Sequence, residues 1–218
     1  MSLIGPELTE ERNVVEDFDA SARIALLDDM PINEIIVGES SYEETNYSRL
    51  EIQNTIFEKC GFHNCNFENA TFVDVLFRLC DLSGSKFTGS YFQRCQFDSC
   101  KCLGIDMSDT ILKNVGFLQS KLTYSNFDKT RITDASFDQV DLTEVSISEA
   151  KFKGFQAVEC IFERNNFTKT LLATVDFTNN ELKSPIFSSP PIELRGATVN
   201  MFQAAELIGL WGVKVSLL

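Results

Sequence analysis

From position 52 to position 187 an apolar residue recurs at every fifth place, most often phenylalanine. Phe57, Phe62, Phe67, Phe72 and Phe77 open the series and Phe87, Phe92, Phe97, Phe117, Phe127 and Phe137 carry it through the middle. Phe152, Phe162, Phe167, Phe177 and Phe187 end it. Leu82, Leu112, Leu122, Ile132, Leu142, Ile147, Leu172 and Leu182 fill most of the places between, and only Cys102, Met107 and Ala157 are weak centres. The register holds for 28 pentads without an insertion or deletion, and 16 of the centres are Phe, which chance does not produce. A second series lies two residues before each centre and gathers small residues, among them Cys60, Cys65, Ala70, Cys80, Ser85, Ser90, Cys95 and Cys100. Two positions in five therefore point inward, and the other three carry most of the charged and amide side chains.

A period of five is neither the 3.6 of a helix nor the 2 of a flat strand. Each pentad is expected to be a short extended piece followed by a bend, so that the chain turns around a central axis. That pattern predicts a β-solenoid in which every coil buries its apolar centres against the next.

Stretches such as Cys65-Asn66-Phe67-Glu68-Asn69 and Ala135-Ser136-Phe137-Asp138-Gln139 resemble the pentapeptide repeat family. The resemblance implies an all-β fold, a right-handed quadrilateral β-helix with four pentads per coil. On that basis the 28 pentads make seven coils, and at roughly 4.8 Å per stacked strand the rod is about 34 Å long. The same phase runs back through Tyr47, Tyr42 and Val37. The expected organisation is an acidic segment or cap over residues 1–36, the repeat over 37–197, and a separate element over 198–218.

The last segment reads as a helix and then a strand. Asn200 with Gln203 three residues on is a capping-box pair, Gly212 stops the helix, and Val213, Val215 and Leu217 alternate with Lys214 and Ser216. The run from Phe202 through Leu207, Ile208 and Trp211 to Val213 and Val215 resembles the C-terminal element of the Qnr-type quinolone-resistance proteins. There it makes a head-to-head dimer, so a homodimer is expected, with a one-sided monomer cap as the alternative. The stretch around Gly104 also resembles Qnr-type and albicidin-resistance relatives and is expected to be the least regular coil, either a functional feature or a plain local bend. The unbroken register leaves no room for the projecting loops of some Qnr-type proteins.

Composition narrows the chemistry. Six of seven Cys fall in the small inward slot and Cys102 is a centre, so their spacings are set by the coil and are not those of a zinc site. His63 follows a centre and should face solvent. With no phosphate-cradling glycine loop and no concavity expected in a rod filled with Phe, neither an enzyme, a cofactor nor a metal site is expected. No stretch reaches the roughly 18 apolar residues of a membrane helix and no basic leader precedes an apolar run, so the expected location is the cytoplasm.

The formal charge of -13 disfavours direct contact with nucleic acid or an anionic membrane and favours a basic protein partner. The family resemblance implies a rod that mimics DNA and occupies the DNA-binding groove of a type II topoisomerase, DNA gyrase or topoisomerase IV, relieving quinolone poisoning. The charge supports this unevenly, because residues 1–46 hold 12 acidic and 2 basic residues while residues 47–218 hold 20 and 17. If four faces are assumed, the two most acidic carry Glu58, Asp98 and Asp138 in one column, and Asp106, Asp109, Asp128 and Glu149 on the other. These are the candidate partner-binding residues. A scaffolding protein with an unrelated partner is the alternative.

Overall fold

The structure, a computed structural model, describes residues 3–216. Its elements begin with β1 (Asn13–Val15), α1 (Phe18–Asp28), β2 (Ile32–Asn33), β3 (Ile35–Gly38) and β4 (Ser41–Glu43). The repeat follows as β5 (Glu51–Glu58), β6 (Gly61–His63), β7 (Thr71–Arg78), β8 (Tyr91–Asp98), β9 (Ile111–Leu118), β10 (Arg131–Asp138), β11 (Lys151–Val158), β12 (Ile161–Glu163) and β13 (Glu181–Lys183). A 3-10 turn, Ile192–Leu194, and α2 (Met201–Gly209) end it.

Every pairing between successive coils of the repeat is parallel and 20 residues apart, Phe57 on Phe77, Phe77 on Phe97, Phe97 on Phe117. Four pentads therefore make one coil, and the molecule is the four-sided solenoid that the pentads imply. The bend is a single residue in the left-handed region, found at every fifth position from Glu34 to Thr174. Only four of these corners are glycine, Gly84, Gly89, Gly104 and Gly154. The rest are mostly Asn, Asp, Glu, Lys and Arg, so each coil accepts a conformation that costs a side-chain residue about 1–2 kcal/mol, and the ladder hydrogen bonds on both sides offset it. Gly104 is thus an ordinary corner. The coil expected to be irregular is regular, with Cys102 and Met107 fully buried in the core.

Inside, phenylalanines stack as identical rings. Phe72 and Phe92 lie 4.5 Å apart at 4° and Phe97 and Phe117 4.5 Å apart at 5°. The small slot lets the next coil approach and satisfies buried carbonyls: Ser85 Oγ donates to the Phe62 carbonyl at 2.7 Å and Cys80 Sγ to that of Phe57 at 3.3 Å. All seven cysteines are free and buried. The hydrogen-bonded neighbour Cys100, together with burial, pushes the Cys80 thiol up to about 12, so these thiols are packing groups rather than nucleophiles.

Residues 3–36, which the pentad pattern does not reach, form a plug and a strap. Asp17 caps α1 by accepting from Ala20 N at 2.9 Å, and Phe18 drives its ring onto the open end of the rod, 5.2 Å from Phe57 and 5.2 Å from Tyr47. The Tyr47 hydroxyl donates to Asp19. Residues 3–12 run back along the corner of the long strands: Thr9 N donates to Asn54 Oδ1 at 3.0 Å and Glu7 N to Asp74 Oδ1 at 2.8 Å. Leu3 lies so close over Gly116 that a Cβ there would sit 3.0 Å from it.

At the other end the expected helix is present with its capping box, Asn200 accepting from Gln203 N at 3.0 Å and Gln203 Oε1 from Asn200 N at 2.8 Å. The expected strand after it does not form. Residues 213–216 join no ladder, because α2 leaves them beyond the last coil with no edge to pair with; Leu217 lies outside the described residues. Among the described residues no helix is long and apolar enough to cross a membrane.

Candidate functional site

The two acidic columns are present as stacks but are not continuous. In the ladder Glu58 pairs with Arg78 and Arg78 with Asp98, so a cation separates the first two acids, and Arg78 Nη1 lies 3.5 Å from Glu58. Leu118 then separates Asp98 from Asp138. On the other face Asp109, Lys129, Glu149 and Lys169 follow at 20-residue intervals, and Lys169 Nζ lies 3.0 Å from Glu149, holding that carboxyl below its usual range. Asp106 caps its own turn, accepting from Ser108 N at 3.0 Å, and Asp128 ties two coils together, accepting from Ser148 N at 2.8 Å. The candidate carboxylates therefore stand in columns that they share with cations. A 20-residue coil puts like positions in register, so a mixed sequence builds alternating ion pairs, as Asp74 with Arg94, Asp81 with Lys101 and Glu144 with Arg164 also do.

Uncompensated acid sits elsewhere. The strap brings Glu7, Glu10 and Glu11 to the corner beside the face of Glu58, while the first coil turns its corners on Glu34, Glu39 and Glu44. Only Glu39 of these three has an ion pair among the described residues, with Lys59 at 3.0 Å. The acidic surface is therefore the N-terminal third of the rod with its strap, a concentration visible in the sequence as a charge imbalance but without a location.

At the opposite end α2 turns Phe202 outward, 73% exposed, together with Ile208 and Trp211, and Val213 and Val215 beyond it are exposed as well. Leu207 is not part of that surface. It is buried against the rod, since Gln203 on the same side of the helix donates Nε2 to the carbonyls of Phe177 and Asn180 at 2.8 Å and fixes which side faces the core.

The rod is also not closed throughout, contrary to the expectation of no concavity. Between residues 151–158 and 171–178 no ladder hydrogen bond forms among the described residues, although the coils are joined on either side, Ala150 N to Thr170 Oγ1 at 2.9 Å and Glu159 N to the Asn179 carbonyl at 3.1 Å. The cause is a reversed pair: Phe155 occupies a small slot and Ala157 a large one. The Phe155 ring stacks on Phe152 at 4.7 Å and holds the coils apart. The seam opens into a cavity of about 490 Å³ lined by Gly154–Val158, Thr174, Asp176, Thr178 and Asn179, and a second of about 380 Å³ beside Lys151, Phe152, Lys169 and Leu171. Phe155 and Phe18 are the two Phe that fall off the five-residue phase, and that departure was the signal in the sequence for the seam and the plug. Among the described residues no group of three or more His, Cys, Asp or Glu could hold a metal ion.

The rod is similar to a trypsin-treated form of QnrB1, a plasmid-mediated fluoroquinolone resistance protein, at TM-score 0.67 and 24% identity over 83% of this chain and 90% of that one. It is similar as well to HetL, a pentapeptide repeat protein involved in heterocyst differentiation regulation in the cyanobacterium Nostoc, at TM-score 0.58 and 12% identity over 81% and 92%. No curated protein matches the sequence. The model of the pentapeptide repeat region matches residues 40–107, 90–165 and 110–187, an overlapping span that takes in most of the chain. Together with the 20-residue coil and its left-handed corners, that match means that the chain belongs to the pentapeptide repeat family.

Proposed function

We propose that this protein acts by binding rather than by catalysis, in the cytoplasm, as a DNA mimic that engages DNA gyrase or topoisomerase IV and protects it from quinolone-type inhibitors. The observation that carries the reading is the placement of charge. The acid-rich segment over residues 3–46 folds onto the rod, so that a stiff body of the QnrB1 kind bears its negative potential along one end and corner. A basic groove that holds DNA by its phosphates would recognise such a surface through long-range attraction. The exposed Phe202 and Ile208 of α2, with Trp211 just beyond it, support a homodimer through the C-terminal ends, which would set two acidic ends facing outward.

The ion-paired sides favour a second reading, a scaffold for an unrelated protein, in keeping with the different role of HetL on the same fold. The test is one titration of this protein into gyrase, scoring supercoiling and ciprofloxacin-induced cleavage at two salt concentrations. Relief of cleavage at stoichiometric protein, weaker at the higher salt, is the expected result. Absence of any effect on gyrase and topoisomerase IV rejects the protective role and leaves the scaffold.

A further inference from the structure

The geometry points to reciprocal strand exchange, in which the unpaired tail over residues 213–216 of one copy seats in the open seam below β11 of a second copy. The inference rests on the dimer proposed above and names what that dimer builds. Backbone ladder groups seek partners, and the seam leaves those of residues 151–158 and 171–178 without the ladder that joins β5 to β10, although Asn180 Nδ2 donates to the Ala157 carbonyl at 2.9 Å. A parallel sheet ends at β11 with a free edge of eight residues, the kind of edge that captures a strand from another chain. Its lining includes the apolar Phe155, Ala157 and Val158 and one carboxylate, Asp176, which the Thr178 backbone N–H holds below the usual range and so keeps charged.

The tail supplies the complement. Val213 and Val215 alternate with Lys214 and Ser216, a two-residue period that matches a half-buried strand and places one cation where the seam has one anion. Both valines are more than half exposed in a single copy. Reach agrees as well: residues 210–216 extended span about 23 Å, whereas the seam lies about two coil rises, roughly 10 Å, from the end of the rod. In a two-fold, end-to-end dimer each tail passes the junction of the helices and enters the other copy, so the assembly closes and does not polymerise.

The test uses the full chain. Sedimentation gives the concentrations at which monomer and dimer dominate, and hydrogen exchange is measured at each. Amides of residues 152–158 are expected to slow on dimerisation, together with those of 213–216. Asp176→Lys and Lys214→Glu should each weaken the dimer about tenfold, and the double charge swap should restore most of the loss. A dimer whose seam amides stay fast, or single losses that simply add, overturns the exchange while leaving a helix-mediated dimer intact. A monomer at every concentration overturns both.

Discussion

Phe92 shows what one inward residue does. Its ring is fully buried and stacked 4.5 Å on Phe72, with its small-slot neighbour Ser90 bonded to the Phe67 carbonyl at 2.7 Å. Phe92→Ala removes a ring that neither neighbouring coil can replace without breaking register, and should cost about 3–5 kcal/mol in urea unfolding. The opposite change is available at the seam. Phe155→Val with Ala157→Phe restores the order of small slot and large centre, and is expected to zip residues 151–158 to 171–178 and raise stability by about 0.5–2 kcal/mol, read as a higher melting temperature. Surface carboxylates act through pH. Burial raises Asp81, but the Ser83 hydroxyl and Lys101 more than offset it and hold it below 3.8. A depressed folded pKa stabilises above the unfolded value and the contribution is lost as pH falls through the folded one. The stability difference between wild type and Asp81→Asn should therefore be present at pH 7, at about 0.5–1 kcal/mol, and disappear on acidification below 3.8.

Among elements, the long strands were legible because a period of five with alternating small and large inward residues leaves the backbone little choice. The plug, the strap and the seam were not, for a shared reason: each depends on residues that break the period. Phe18 lies in a segment with no repeat, and only the packing of its ring against Tyr47 and Phe57 distinguishes a cap from a loose tail. Val213 and Val215 have the alternation of a strand but no edge in their own rod, so pattern predicted a conformation that needs a partner. The candidate acids illustrate how a coil arranges charge. Their columns were placed correctly by a 20-residue coil, and the same coil set Arg78 beside Glu58 and Lys169 beside Glu149. Strap and plug can be separated by mutation. Phe18→Ala exposes the Phe57 end of the core and should lower stability by about 3–5 kcal/mol with increased light scattering on heating, whereas Asp74→Ala releases the strap at Glu7 and breaks the Arg94 ion pair, speeding exchange at Glu7 and lowering stability by a smaller amount, about 1–3 kcal/mol.

At the scale of the whole molecule a solenoid is a row of coils, each stabilised by its own contacts and by the interface to its neighbours. Most interfaces here are alike, with a full ladder, stacked centres and bonded small slots. The interface under β11 lacks the ladder on the long-strand side, and its aromatic contact stays within one coil, Phe155 stacking on Phe152 at 4.7 Å rather than on a ring of the next coil. A nearest-neighbour row breaks first at its weakest interface, so the coils from about residue 160 onward, with α2 docked on them, should open as a unit while residues 52–140 remain folded. The chain contains one tryptophan, Trp211, which lies in that unit. In a urea titration its fluorescence should change at lower denaturant than the far-ultraviolet signal of the remaining coils, and native-state exchange should show one shared opening free energy for β12 and β13 below that of β7 to β9. Coincident transitions would mean that the joined corners at Ala150 and Glu159 carry enough coupling to make the rod cooperative across the seam. If instead the C-terminal unit becomes as stable as the rest only at concentrations where two copies associate, the missing ladder is supplied by the second chain, and the weakness at β11 is the means by which one rod recognises another.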